Sequence, residues 1–320
     1  MLLALDDGVE TPLGFDKAAI GIASSEIVHL ASAFRRFGVL KIDLSDGATY
    51  FSPQACAMHG LPVSSEPIKV VDLLSRIHPV DAERILDAFE TAAKARCGWY
   101  FNYRLRQANG SVRWARLVEH YRDTPGGGEF VGIVYEFLPR DSGAEVLVSS
   151  DGAGAEAIEP SKLVISAATT ALHTLDGANG DISREGLRHQ AVDISDDDIA
   201  DLICRHRLYG FFRQDIESGH CYFSQAAHQI YGLPYSPAPA NLAELIRRTH
   251  PDDAPIVSKA FEAAARHKAM FHVIHRYART TSYKTLRLIG GYRKTTDGKD
   301  ELYGSVYEFY DNLSIAGFAS

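Results

Sequence analysis

Tyr50-Phe51-Ser52, Gly60-Leu61-Pro62, Ile77-His78-Pro79-Val80-Asp81 and Val134-Tyr135-Glu136-Phe137 are each written a second time, 172 residues later. They return as Tyr222-Phe223-Ser224, Gly232-Leu233-Pro234, Thr249-His250-Pro251-Asp252-Asp253 and Val306-Tyr307-Glu308-Phe309. Phe37-Gly38 answers to Tyr209-Gly210 in the same way, and Ala88-Phe89-Glu90 to Ala260-Phe261-Glu262. The register slips by one residue near Tyr121-Arg122 and Tyr292-Arg293, then recovers. It also reaches back into the preceding segments, where Glu26-Ile27 aligns with Asp198-Ile199. A period this long is too large for a solenoid, so the chain is two whole domains made by duplication. Its 320 residues suit a pair.

Each copy reads alike. An amphipathic helix opens it, with Ile20, Ile27, Leu30, Phe34 and Phe37 at helical spacing in the first copy and Ile199, Leu202, Ile203 and His206 in the second. A hairpin follows, turning at Ser45-Asp46-Gly47. Short helical pieces lead to a helix over 80–96, which begins after a proline with acids in its first turn. Three strands close the copy, over 99–107, 112–122 and 131–138. Consecutive strands joined by short turns pair antiparallel. The expected domain is therefore α+β, a five-stranded antiparallel sheet with helices on one face. The boundaries read as an N-terminal helical segment 1–36, domains at 37–138 and 209–310, an acidic linker 139–208 and a tail 311–320.

Those residues carry a resemblance. Tyr103-Arg104-Leu105-Arg106 followed by Asn109-Gly110-Ser111-Val112-Arg113-Trp114 resembles the closing strands of a PAS domain. The two His-Pro segments and the two Gly-Leu-Pro turns resemble one common PAS subfamily, in family order and twice over. The resemblance implies a bacterial, cytoplasmic signalling sensor or adaptor that binds a small molecule or a partner protein, and not an enzyme. It implies partners such as a kinase or response regulator, and a homodimer formed through the helix before the first strand. Ile20, Ile27, Leu30 and Phe34 are the candidate dimer contacts. The pattern departs where PAS domains that drive an effector carry an Asp-Ile-Thr-like triplet: here Glu136-Phe137 and Glu308-Phe309 stand. Only a short tail follows the second copy, so the output is expected to travel through another polypeptide. Two other readings stay open: a detached sensory subunit of a histidine kinase or cyclic-dinucleotide enzyme, and a purely structural dimerisation module.

Composition narrows the function classes. Residues 139–200 hold twelve acids against four bases, which equals the whole-chain net charge of −8. Neither flanking domain concentrates positive charge as a phosphate backbone requires, so no nucleic-acid partner is expected. No apolar run is long enough to span a membrane. Cys56, Cys97, Cys204 and Cys221 lie far apart, and no metal site is expected. The acidic stretch 176–185 misses the ligand spacing of a calcium loop. Gly126-Gly127-Gly128-Glu129-Phe130 looks like a cyclase signature but falls in a strand-to-strand turn. His78 and His250 read as helix-entry residues, and His189 as a solvated one. The helix of flavin-binding relatives is absent around Cys56, so the cofactor stays unassigned.

The sharper candidate is the first strand of each closing set. Trp99, Phe101, Tyr103 and Leu105 face inward in the first copy, and Phe271, Val273, His275 and Tyr277 in the second. The changes remove volume and add an imidazole, so a small-molecule pocket is expected in the second domain. His275, Phe271, Val273, Tyr277 and Tyr231 line it, with Tyr103 the counterpart of His275. A rival reading lets Tyr231, which stands where the first copy has His59, fill the gap.

Overall fold

The structure is a computed structural model that describes residues 20–33, 37–107, 109–136, 192–205, 207–280 and 282–309, and the backbone of 316–319. In the first unit α1 (Ser24–Ala33) precedes β1 (Phe37–Asp43) and β2 (Thr49–Phe51). Then come α2 (Pro53–His59), α3 (Val70–Arg76), α4 (Pro79–Ala95), β3 (Gly98–Arg106), β4 (Val112–Arg122) and β5 (Glu129–Glu136). The second unit repeats the order: α5 (Asp196–Arg205), β6 (Gly210–Asp215), β7 (Cys221–Phe223), α6 (Gln225–Tyr231), α7 (Leu242–Arg248), α8 (Ala254–His267), β8 (Phe271–Ala278), β9 (Tyr283–Lys294) and β10 (Asp300–Glu308). A last strand, β11 (Ala316–Ala319), follows. The second sheet has the expected five strands in the order β7-β6-β10-β9-β8. The first has six, because β11 adds to the edge of β3. The plain tail expected over 311–320 thus contains a strand.

Local chemistry explains the repeats. Ser52 and Ser224 each cap the helix that follows, accepting from Ala55 N–H and Ala227 N–H. Gly60 and Gly232 then end those helices in the left-handed conformation. Gly38 and Gly210 sit where the first strand passes under that helix. A Cβ there would come within 2.5 Å of Ala55 N or Ala227 Cα, so no other residue fits. The run Gly126-Gly127-Gly128 forms the β4–β5 turn, where Gly128 has φ 105° and lies against the Tyr121 ring. Asp81 accepts from the backbone N–H of Arg104 and pairs with its guanidinium through two nitrogens, at 2.8–2.9 Å. Asp253 and Arg276 reproduce the arrangement. This clamp ties the start of α4 to β3 and the start of α8 to β8. The preceding histidines act mainly through their backbone: His78 N–H donates to Arg104 O, and His250 N–H to Arg276 O.

Three apolar cores result. One lies beneath α2–α4 on the inner face of the first sheet and another beneath α6–α8 on the second. The third is shared: the outer faces of both sheets close on α1 and α5. Val39, Val118, Ile133 and Tyr135 come from one sheet and Phe211, Ile289, Tyr303 and Tyr307 from the other, with Ile27, Leu30, Ile199 and Leu202 between them. The helices cross over: α1 packs on α5 and on β9 and β10 of the second unit, while α5 packs on β4 and β5 of the first.

Candidate functional site

The crossed helices set where the candidate dimer contacts lie: Ile20, Ile27 and Leu30 are buried within a single chain, against the helix and sheet of the second unit. Phe34 and His206 lie outside the described residues, as do Phe137, the segment 176–185 and His189. Polar contacts pin the crossing. Arg293 donates to Glu26 Oε2 at 2.8 Å and to Gly21 O at 2.9 Å, while its other nitrogens hold Glu301. Arg122, its repeat counterpart, donates to Asp193 O at 2.6 Å, just before α5. Ser24 Oγ donates to Asp197 between the helices themselves. Each unit's helix is therefore held by an arginine of the other unit's sheet.

The inward faces of β3 and β8 lie as the alternation predicts. Trp99, Phe101, Tyr103 and Leu105 are buried in the first unit, and Phe271, Val273, His275 and Tyr277 in the second. His59 Nδ1 bonds Ala55 O at 2.7 Å, and its Nε2 accepts from Tyr103 Oη at 2.8 Å. Burial lowers the His59 pKa to about 4, so the ring is neutral and the tautomer is fixed by these two bonds. In the second unit the two residue types trade places: Tyr231 stands for His59 and His275 for Tyr103. Tyr231 stacks on Phe223 and meets Tyr277 edge-on, with centroids 5.3 and 5.0 Å apart. Among the described residues His275 Nδ1 has no hydrogen-bond partner. Burial takes its pKa down to about 4 against the pull of Asp253, which leaves it neutral at physiological pH.

A further group, not singled out from the sequence, faces the first core. Glu119 on β4 stands directly opposite Trp99 on β3 and is fully buried. Among the described residues neither carboxylate oxygen has a hydrogen-bond partner. Burial raises its pKa to about 8, opposed by the Trp99 indole N–H beside it, and its charge would push the Tyr103 hydroxyl upward as well. The signal is present in the alternation of Ala115, Leu117, Glu119 and Tyr121, which places an acid among inward positions. The second unit has Gly290 at the corresponding register, paired with Phe271. A Cβ on Gly290 would come within 2.3 Å of the Phe271 ring. The ring thus takes the room that Glu119 fills in the first unit. Part of the volume expected to be free in the second core is occupied, by Phe271 on one side and Tyr231 on the other.

Among the described residues no cluster of histidine, cysteine or acidic side chains could hold a metal ion. No described helix is long and apolar enough to cross a membrane.

A protein-family model described as PAS fold matches residues 48–133. No curated protein matches, whereas 124 chains of solved structures do. The N-terminal domain of a diguanylate cyclase with PAS/PAC sensor from Marinobacter aquaeolei is 25% identical over 31% of this chain and 94% of its own, with a TM-score of 0.29. A sensory box histidine kinase/response regulator from Burkholderia thailandensis is 25% identical over 34% of this chain and 82% of its own, with a TM-score of 0.28. An RNA-binding light-oxygen-voltage receptor is 11% identical over 85% of this chain and 95% of its own, with a TM-score of 0.30. A PAS fold is thus recognised in the first unit, and the two α+β sheets are consistent with two PAS domains.

Proposed function

We propose that this chain is a sensory adaptor that works by binding: two PAS units, joined back to back inside one polypeptide, take up a small molecule and relay its presence to a partner protein such as a kinase or response regulator. The observation that supports this reading is the crossed pair α1 and α5. Each helix precedes one sheet and lies on the other, so a change in either sheet bears on the helix leading into its neighbour. Such a pair supplies within one chain the helix-mediated pairing that the sequence led us to expect between two chains. A homodimer would then need a surface other than Ile20, Ile27 and Leu30.

The ligand reading rests on His275, a buried polar group with no partner at Nδ1 among the described residues, beside Phe271, Val273, Tyr277 and Tyr231. Buried polar atoms are nearly always satisfied, and a missing partner points to a bound molecule or water. The imidazole is neutral, so the ligand it favours is an uncharged small molecule that offers one hydrogen-bond donor or acceptor. Native mass spectrometry of freshly purified protein tests the proposal: a bound mass is expected that disappears in His275→Ala and persists in Tyr103→Ala. A chain that flies at 35.1 kDa with no added mass, and gains none from cell extract, would leave only the structural pairing module. A nucleotide-turnover assay on the pure protein, expected to show none, separates the adaptor from a cryptic catalyst.

A further inference from the structure

Buried carboxylates in this chain come with an arginine, except one. Among the described residues the buried acids are Asp81, Glu119, Asp253 and Glu301. Asp81 pairs with Arg104 and Asp253 with Arg276, each at 2.8 Å, and Glu301 is held by Arg213 at 3.0 Å and Arg293 at 2.8 Å. Glu119 has no such cation. Neither of its oxygens, nor the Trp99 indole Nε1 across the ladder, has a hydrogen-bond partner among the described residues. A buried charge is costly unless paired, and an open polar group in a native core calls for an occupant.

The surroundings say what that occupant is. On the inner face of the first sheet Glu119 is flanked by Trp99 on β3, Gly132 on β5 and Tyr121 further along β4, and Tyr121 stands opposite Phe130. Phe89 joins them from α4, and the four rings pack with neighbouring centroids 5.6–6.3 Å apart. A Cβ on Gly132 would come within 2.5 Å of Glu119 Cγ, so the glycine leaves the acid its place. Phe89 and Tyr121 are half-buried, which brings the cluster to the surface. One acid among aromatic rings is the composition that recognises an ammonium group. The rings offer no strong acceptors, so a methylated ammonium, with few N–H groups to satisfy, fits better than a primary one. The second unit lacks this composition, because Gly290 stands at the register of Glu119 and the Phe271 ring lies against it.

We propose that Glu119 is the counter-ion of a methylated ammonium compound taken up in the first core, between its carboxylate and the rings of Trp99, Phe89, Phe130 and Tyr121. This is a second site, apart from the His275 core and opposite to it in chemical preference. Without the cation the carboxyl keeps its proton, since burial raises its pKa to about 8. Uptake of the cation therefore releases one proton to water. The other groups near the acid are Tyr103, whose hydroxyl burial pushes up and which bonds the neutral His59, and at the rim Arg96, which lies over the Tyr121 ring and pairs with Asp123 at 3.5 Å.

Isothermal titration calorimetry of the dialysed full chain with choline and with tetramethylammonium tests this, with 3,3-dimethylbutan-1-ol as the uncharged match to choline. Both cations are expected to bind, and the alcohol at least tenfold more weakly than choline. Affinity for the cations should rise about tenfold between pH 6.5 and 7.5, as the displaced proton becomes easier to lose. Glu119→Gln, its fold checked by circular dichroism, should lose both cations. No binding of either cation, equal binding of the alcohol, an affinity that does not change with pH, or cation binding that survives Glu119→Gln would each overturn the proposal.

Discussion

Replacing Glu119 by glutamine should make the protein more stable above neutral pH and remove a pH dependence that the parent carries. The side chain is fully buried and its pKa is about 8 in the fold, against 4.5 for the free group. In the folded chain it therefore keeps its proton while the unfolded chain loses it. A raised carboxyl pKa means stability that is complete below the unfolded value and drains away as pH rises to the folded one. The slope is about 1.4 kcal/mol per pH unit. Three buried imidazoles oppose it lower down: His59 and His275, at about 4, and His272, held well below its ordinary value by burial, resist protonation in the fold, so they cost stability as pH falls below 6.5. Between pH 6.5 and 8 the carboxyl acts without them, and the parent should lose about 2 kcal/mol across that window. The Glu119→Gln side chain keeps the size of the parent's and cannot ionise, so the difference between the two proteins isolates this one group. Urea denaturation at pH 6.5, 7.25 and 8, followed by circular dichroism, gives the two slopes. If the variant falls with pH as steeply as the parent, Glu119 is not the buried acid described here.

Other perturbations read the remaining contacts. Asp253→Asn unbinds one side of the Arg276 clamp and should cost about 1–3 kcal/mol, measured by thermal or urea unfolding. Because the Asp253 pKa is lowered in the fold despite its burial, the parent should also lose this contribution as pH drops through the acid range, and the variant should not. Gly38→Ala and Gly210→Ala force a methyl into the backbone of the facing helix and should each destabilise by about 1–3 kcal/mol, read by the same unfolding curves. Arg293→Met removes the tie between α1 and the second sheet; faster hydrogen exchange in α1, with the two inner cores unchanged, is the expected result.

Much of this architecture was legible because the chain is written twice. The duplication pointed to two α+β units, and alternation along β3 and β8 placed the inward residues correctly. What periodicity cannot encode is which apolar surface a stripe meets. Ile27 and Leu30 have the spacing of a helix that needs cover, and the cover is the other half of the same chain. β11 escaped for a similar reason: Ala316-Gly317-Phe318-Ala319 has weak strand propensity of its own and is held by the edge it meets. Glu119 was hidden by its strand, since one acid among alternating residues reads as solvent-facing until its parity is compared with Trp99 across the ladder. The exchange of His59 and Tyr103 for Tyr231 and His275 is visible in the sequence as two separate substitutions. Only the contact between the first two shows that they are one.

The two units are paired within one chain through α1 and α5, and a cross-link between these helices reads that pairing without intermediaries. Ser24 and Asp197 touch across the two helices. With both changed to cysteine and the protein mildly oxidised, non-reducing electrophoresis and peptide mapping should find the 24–197 disulfide inside a monomer of unchanged mass. A 24–197 bridge found only in covalent dimers would place the helix pair between chains and contradict the account.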